Sequence, residues 1–162
     1  MQPFAVLEVL ILLLVANGAP IIIKRVLGQT WNWPIDSGLR LGDGEPLFGK
    51  SKTYRGILGS ILVTSLAALV LHLHWYVGAL VAVGAMAGDL LSSFVKRRLR
   101  LPSSSMAPGI DQVPEALLPL ALVAESLDLT WADIIVGTAL FWGGSLVLSR
   151  ALYAVGIRDR PY

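Results

Sequence analysis

The sequence predicts an all-α fold: a polytopic membrane protein, a bundle of five transmembrane helices with cytoplasmic loops. Three observations lead there. Hydrophobic residues make up 55% of the 162 positions and charged residues only 15%, against about 25% charge in a soluble domain. Five apolar runs follow one another, and a helix needs about 20 mostly apolar residues to cross the hydrocarbon. All 13 Lys and Arg fall on one side of a five-span layout. This composition excludes disorder, which needs a polar chain. It also excludes a soluble globule, whose surface so few polar residues could not cover. One domain over residues 1–162 is expected at this length. The absence of cysteine removes disulfides, thiol catalysis and thiolate-bound metals.

The first run, residues 4–23, carries Glu8 and an interruption at Asn17-Gly18-Ala19-Pro20. No positive charge precedes it, whereas Lys24 and Arg25 follow, so it reads as a retained span with its N-terminus outside. The second run, 56–73, and the third, 76–95, are joined by a short turn. The fourth, 113–127, is the shortest and contains Pro114, Glu115, Pro119 and Glu125. The fifth covers 132–153. One side then receives the 24–55 loop, the 96–112 loop and the C-terminus, with Arg158 and Arg160, while the opposite side holds Asp128 and Asp133. The positive-inside rule makes the basic side cytoplasmic, which places the chain in the cell (cytoplasmic) membrane. Positives at helix ends meet lipid headgroups, so no nucleic-acid partner is inferred from the net charge of +2.

Three segments carry chemistry. In the third run, Asp89, Ser92, Ser93, Lys96 and Arg97 share one helical face. Asp89 stands seven residues before Lys96, about 10 Å along the axis, so a carboxylate enters the inner third of the membrane and needs a cation. One reading is an ion pair with a basic residue from another helix. In the second segment Asp111 precedes Val113-Pro114 and reads as an N-cap, with Glu115 one turn further on the same side. Asp89, Asp111 and Glu115 together form a hard-oxygen set suited to magnesium, which usually shares its coordination with phosphates. The third segment is the long loop containing Asp36 and Gly49-Lys50-Ser51-Lys52-Thr53-Tyr54-Arg55-Gly56. Glycines with Lys, Thr and Arg at a helix N-terminus favour phosphate, although the P-loop spacing is absent. Gly84 and Gly88 permit close helix approach.

These motifs, in this order, resemble the CDP-archaeol synthase family, relatives of the membrane CDP-diglyceride synthetases. The resemblance runs through Ala16-Asn17 to Pro20, Pro34-Ile35-Asp36 with Gly38, residues 49–56, Gly88-Asp89 to Arg98, and Asp111-Gln112. It implies five transmembrane helices and an enzyme that uses CTP and magnesium to activate a lipid phosphate, releasing pyrophosphate. The leading lipid would be an unsaturated digeranylgeranylglyceryl phosphate. Asp89, Lys96 and Asp111 would be catalytic, and Asp89, Asp111 and Glu115 would hold magnesium. Asn17, Asp36, Lys50, Lys52, Thr53, Arg55, Ser93, Arg97, Arg98 and Gln112 would contact substrates. One departure stands out: after Asp111-Gln112 the family has an apolar residue, an aspartate and a phenylalanine, whereas this chain has Pro114 at the aspartate position and then Glu115. A diacyl lipid phosphate, a different nucleotide donor and a non-catalytic transport or scaffold subunit are the alternatives. The oligomeric state is left open.

Overall fold

The computed structural model describes residues 1–102, 105 and 107–154, and no side chain beyond residue 150. Arg158, Arg160 and the C-terminus lie outside the described residues. Five helices are present among the described residues: α1 (Pro3–Leu27), α2 (Tyr54–Val70), α3 (Trp75–Arg98), α4 (Gln112–Leu122) and α5 (Trp131–Ala154). The all-helical expectation holds, with no named strand among the described residues. Helices α1, α3 and α5 are long and apolar enough to cross a bilayer. Helix α2 has 17 residues. Helix α4, with 11, rises about 16 Å, roughly half the hydrocarbon thickness. The expected fourth run ends early because the chain turns at 123–128, where Leu127 and Leu129 bond back to Val123 and Ala124.

Helix α3 is the centre of the bundle. It packs on α1, α2 and α4, and 56% of its apolar window is buried, against 33% for α1 and 28% for α5. Small residues allow this. A Cβ on Gly84 would lie 2.7 Å from the Pro119 backbone, and one on Gly88 would lie 2.6 Å from Glu115 N. The two glycines thus set α3 directly against α4, as their spacing suggests. The core is continuous across the helices: Val9, Leu12 and Leu13 of α1, Val81 and Ala85 of α3, Ala116 and Leu120 of α4.

At the acidic end, Asp133 accepts from Thr130 N and Oγ1, and Thr130 Oγ1 accepts from Asp133 N. This is a capping box on α5. The other Asp133 oxygen accepts from Gln2 N at 2.9 Å, tying the start of α1 to the start of α5.

The interruption expected at residues 17–20 is not a break: α1 runs through Pro20. Proline lacks the N–H that would bond to Ala16 O, and an unpaired carbonyl is costly inside a membrane. Ser60 of α2 supplies the donor, with its Oγ 2.8 Å from Ala16 O. The helix also continues past residue 23 because Lys24 and Arg25 suit the negative end of the helix dipole.

Ser60→Ala should therefore lower the detergent unfolding midpoint by an amount equivalent to about 1 kcal/mol. The loss should shrink in a Pro20→Ala background, where residue 20 regains its own N–H. Equal losses in both backgrounds would show that Ser60 acts through something other than the carbonyl freed by proline.

Candidate active site at the basic end of the bundle

The site begins with the loop between α1 and α2. Ile35 N bonds to Lys52 O, Tyr54 N to Trp33 O, Leu41 N to Glu45 O and Leu47 N to Leu39 O, so the loop doubles back on itself as a stiff plate. Its hub is Asp36, 8% exposed. The carboxylate accepts from Gly38 N (3.0 Å), Phe48 N (3.0 Å) and Gly49 N (2.9 Å). Burial alone would push this carboxyl up, but the three N–H groups outweigh it and hold it below the ordinary carboxylate value. Asp36, expected to contact substrate, instead has its carboxylate engaged with the loop's own backbone.

Lys52, at the end of that plate, reaches α3. Its Nζ donates to both Asp89 oxygens, at 2.6 and 2.5 Å. The ion pair expected for Asp89 exists, with a lysine from the loop ahead of α2 as its partner. Lys96 Nζ lies 2.7 Å from Asp111 Oδ1 and donates to Ser105 O at 2.9 Å. Asp111 Oδ1 is buried and lacks a geometrically formed hydrogen bond despite the nearby ammonium. Asp111 does not act as the expected N-cap. Its backbone is already helical, and its Oδ2 instead accepts from Ala107 N in the preceding turn.

Between these pairs stands Glu115, half-buried, with Asp89, Asp111 and Lys52 as its charged neighbours. Gly88 makes this convergence possible, because a side chain there would hold α3 away from the Pro114–Glu115 backbone. Three carboxylates and two ammonium groups from the loop, α3 and α4 therefore meet at one end of the bundle.

The other candidates divide by what they touch. Thr53 caps α2 by accepting from Gly56 N, and Gln112 accepts from Gly109 N at 2.8 Å. Arg55 donates to Thr30 O, to Gly28 O and to Asn32 Oδ1, closing the exit of α1. Arg97 is buried and donates to Pro102 O. Arg98 donates to both Asp43 oxygens and to the carbonyls of Glu45 and Pro46. The substrate contacts expected of Arg55, Arg97 and Arg98 thus meet donors already engaged with the protein's own backbone and Asp43. Ser93 is buried on the inner face of α3, and Asn17 Nδ2 is buried without a partner. Lys50 is exposed and lines a cleft of about 660 Å³ with Trp33, Ser37 and Tyr54.

Sequence reasoning passed over Asp43 and Ser60. Gly42-Asp43-Gly44 is a turn signature that could have flagged Asp43. Nothing in the sequence marks Ser60 beyond the donor that Pro20 requires somewhere.

No group of three or more His, Asp or Glu among the described residues stands in metal-ligating geometry. The donor chemistry nonetheless suits a hard cation: oxygen-only ligands, one of them an under-satisfied Asp111 oxygen, held where phosphates would also meet lysines.

Comparison with known proteins identifies the family and a fold neighbour. The family model for CDP-archaeol synthase (CarS-like) matches residues 4–162. The CDP-archaeol synthase of Thermofilum pendens is 32% identical over 154 residues, covering 91% of this chain and 76% of its own. That of Pyrococcus furiosus is 42% identical over 107 residues, 60% of each chain. A solved structure described as an intramembrane enzyme for archaeal membrane lipids biosynthesis superposes with a TM-score of 0.68 at 32% identity, covering 85% of this chain and 90% of that one. With its apolar helices, this chain is a multi-pass membrane protein.

The Asp36 hub yields a pH-dependent expectation. Its depressed pKa means that it stabilises the fold while ionised, an effect complete above about pH 4 and lost as pH falls through the lower folded-state value. The unfolding midpoint, followed by Trp fluorescence in detergent, should be higher for the wild type than for Asp36→Asn near neutrality. The gap should close below pH 4, and a gap independent of pH would remove the ionised carboxylate from the explanation.

Proposed function

The chain belongs to the CDP-archaeol synthase family, and we propose that it joins CTP to a lipid phosphate at the basic end of the bundle, releasing pyrophosphate. The class, a CTP-dependent cytidylyltransferase of lipid biosynthesis, follows from the family. The observation that carries the placement is the convergence of Lys52–Asp89 and Lys96–Asp111 on Glu115.

A lipid phosphate oxygen attacks the α-phosphorus of CTP in line, and the bond to the pyrophosphate oxygen breaks. Such chemistry needs positioned charge more than a covalent nucleophile. Lys52 and Lys96 neutralise the carboxylates in the ligand-free protein and turn to phosphate oxygens when substrate arrives. Asp89, Asp111 and Glu115 would hold magnesium, which supplies Lewis-acid stabilisation of phosphate charge. Glu115 stands in for the aspartate that the family pattern places where this chain has Pro114. Lys50 draws nucleotide toward the site from its exposed position. Asn17, with an unpartnered donor within the bundle, and Ser93, on the Asp89 face, are polar groups available to receive the lipid phosphate. The leading lipid is an unsaturated bis-geranylgeranyl glycerol phosphate. A scaffold subunit would also pair its membrane acids with basic side chains, but the family sets that alternative aside.

Asp89→Asn should abolish CTP-dependent pyrophosphate release while leaving the detergent melting temperature within a few degrees. The wild type should melt higher with magnesium and CTP than with magnesium and ATP, GTP or UTP. A shift that is equal for all four nucleotides would replace this reading with another donor on the same architecture.

All five helices cross the membrane in this proposal, α4 with help from the turn that follows it, with the basic end in the cytoplasm of the cell membrane. Because the chain lacks cysteine, introduced thiols report cleanly. Ser51→Cys should be labelled only after the inner face is opened, and His72→Cys, in the α2–α3 turn, from outside intact cells. Labelling of Ser51→Cys from outside would invert the orientation.

A further inference from the structure

We propose that Asp43 and Arg98 form a latch that sets the height of the 28–53 loop on α3, so that Lys52 arrives at Asp89. Both are positioning residues for nucleotidyl transfer, and Arg98 is not a phosphate ligand. The proposal rests on the functional reading above, and the geometry supplies three reasons.

The first is the use of the guanidinium. Nη1 donates to both Asp43 oxygens, at 2.6 and 2.5 Å, and Nη2 donates to Pro46 O at 2.7 Å and Glu45 O at 3.3 Å. Its carbon lies 5.3 Å from the centre of the Phe94 ring, which supports its lower face. The four N–H bonds of the two terminal nitrogens are therefore committed, and all of them to the tip of the loop. Nε is buried and unpartnered, so an anion could reach the terminal nitrogens only by taking them from the loop.

The second is the spacing of the two attachments. The loop touches α3 at Arg98 through Asp43 and at Asp89 through Lys52. Nine residues separate Arg98 from Asp89, about 13 Å along the helix. Nine residues also separate Asp43 from Lys52, a length of chain that could extend to about 30 Å. A slack loop would allow Lys52 to miss its partner.

The third is that the loop is not slack. Asp36 holds Phe48 N and Gly49 N, and residues 39–47 close on themselves through Leu47 N to Leu39 O and Leu41 N to Glu45 O. Fixing the Asp43 end therefore fixes the Lys52 end. Asp43 is itself prepared by its turn, because the bond from Glu45 N orients the carboxylate before Arg98 meets it. An exposed ion pair adds little stability by itself. Its effect here is on position, in that an unlatched loop presents Lys52 correctly for only part of the time, and the apparent affinity for nucleotide falls by that fraction.

The test is a double-mutant cycle on the full-length protein in detergent, with Asp43→Ala, Arg98→Ala, the double variant and the charge-swapped pair Asp43→Arg with Arg98→Asp. Each single variant should raise the KM for CTP about tenfold with kcat largely kept, since bound nucleotide restores the loop. The double variant should be no worse than either single one, and the swap should recover part of the loss. Trypsin cleavage after Arg40 gives a readout independent of turnover: it should be faster in both single variants and no faster still in the double variant, the swap being left out because it adds a trypsin site at position 43. If wild-type protein shows no CTP turnover, the functional reading fails, while proteolysis still decides the latch. An Asp43→Ala variant with wild-type KM and wild-type cleavage would overturn the proposal. So would additive losses with no recovery in the swap, the pattern of a direct phosphate ligand.

Discussion

Ionised carboxylates held together at a half-buried helix end repel one another and call for cations close by. Asp89 and Asp111 are in that position, brought near one another by Gly88 and Gly84 setting α3 against α4. The C-terminal half of α3 offers no help, since its dipole disfavours an anion. Cations must come from outside the two helices' opposed faces, or from a neighbouring turn. Lys52 and Lys96 meet this need, and much of the basic end of the molecule is arranged to deliver them.

Lys96 comes from α3 itself, two turns beyond Asp89, and bends across to the start of α4 and to Ser105 O. Lys52 has a longer path, because it belongs to a loop that would wander without internal bonds. The Asp36 hub, the paired segments around 33–35 and 52–54, and Arg55 at the exit of α1 convert that loop into a plate. Arginine suits the anchoring tasks because its planar fork engages several oxygens at once. Lysine suits the site, because a flexible ammonium can leave a carboxylate for a phosphate without rebuilding its surroundings. The division between Arg55 and Arg98 on one hand and Lys52 and Lys96 on the other follows this chemistry.

The helices were legible from sequence because apolar runs of this length have few alternatives in a membrane. Their ends were less so. Pro20 looked like a break, and only a donor on another helix, Ser60, lets α1 continue. The fourth run looked longer because Val123 and Ala124 keep the apolar pattern while the backbone is already turning. In the site, helical spacing was enough to put Asp89 and Lys96 on one face and Asp111 beside Glu115. The lysine partners were not legible in the same way. Whether Lys50 or Lys52 reaches the membrane acid depends on the pairing of residues 52–54 with 33–35, a register that local composition does not encode. For the same reason Arg55 and Arg98 read as phosphate ligands, since their acceptors are backbone carbonyls and a turn aspartate brought close only by the folded loop.

Five of the 13 positives also hold the basic end of the bundle together. A basic end satisfies the positive-inside rule whatever its side chains touch. Here Lys52, Lys96, Arg55, Arg97 and Arg98 each have a defined partner, whereas free headgroup contacts would have left them pointing outward. In the proposed orientation the charge that holds the bundle's basic end in the cytoplasm also puts the reacting phosphates on the side where the nucleotide is dissolved. A reversed chain would bury the same pairs equally well, yet its site would face away from the nucleotide. In that proposal orientation and catalysis become one constraint, and a substitution that weakened the basic end would act on both.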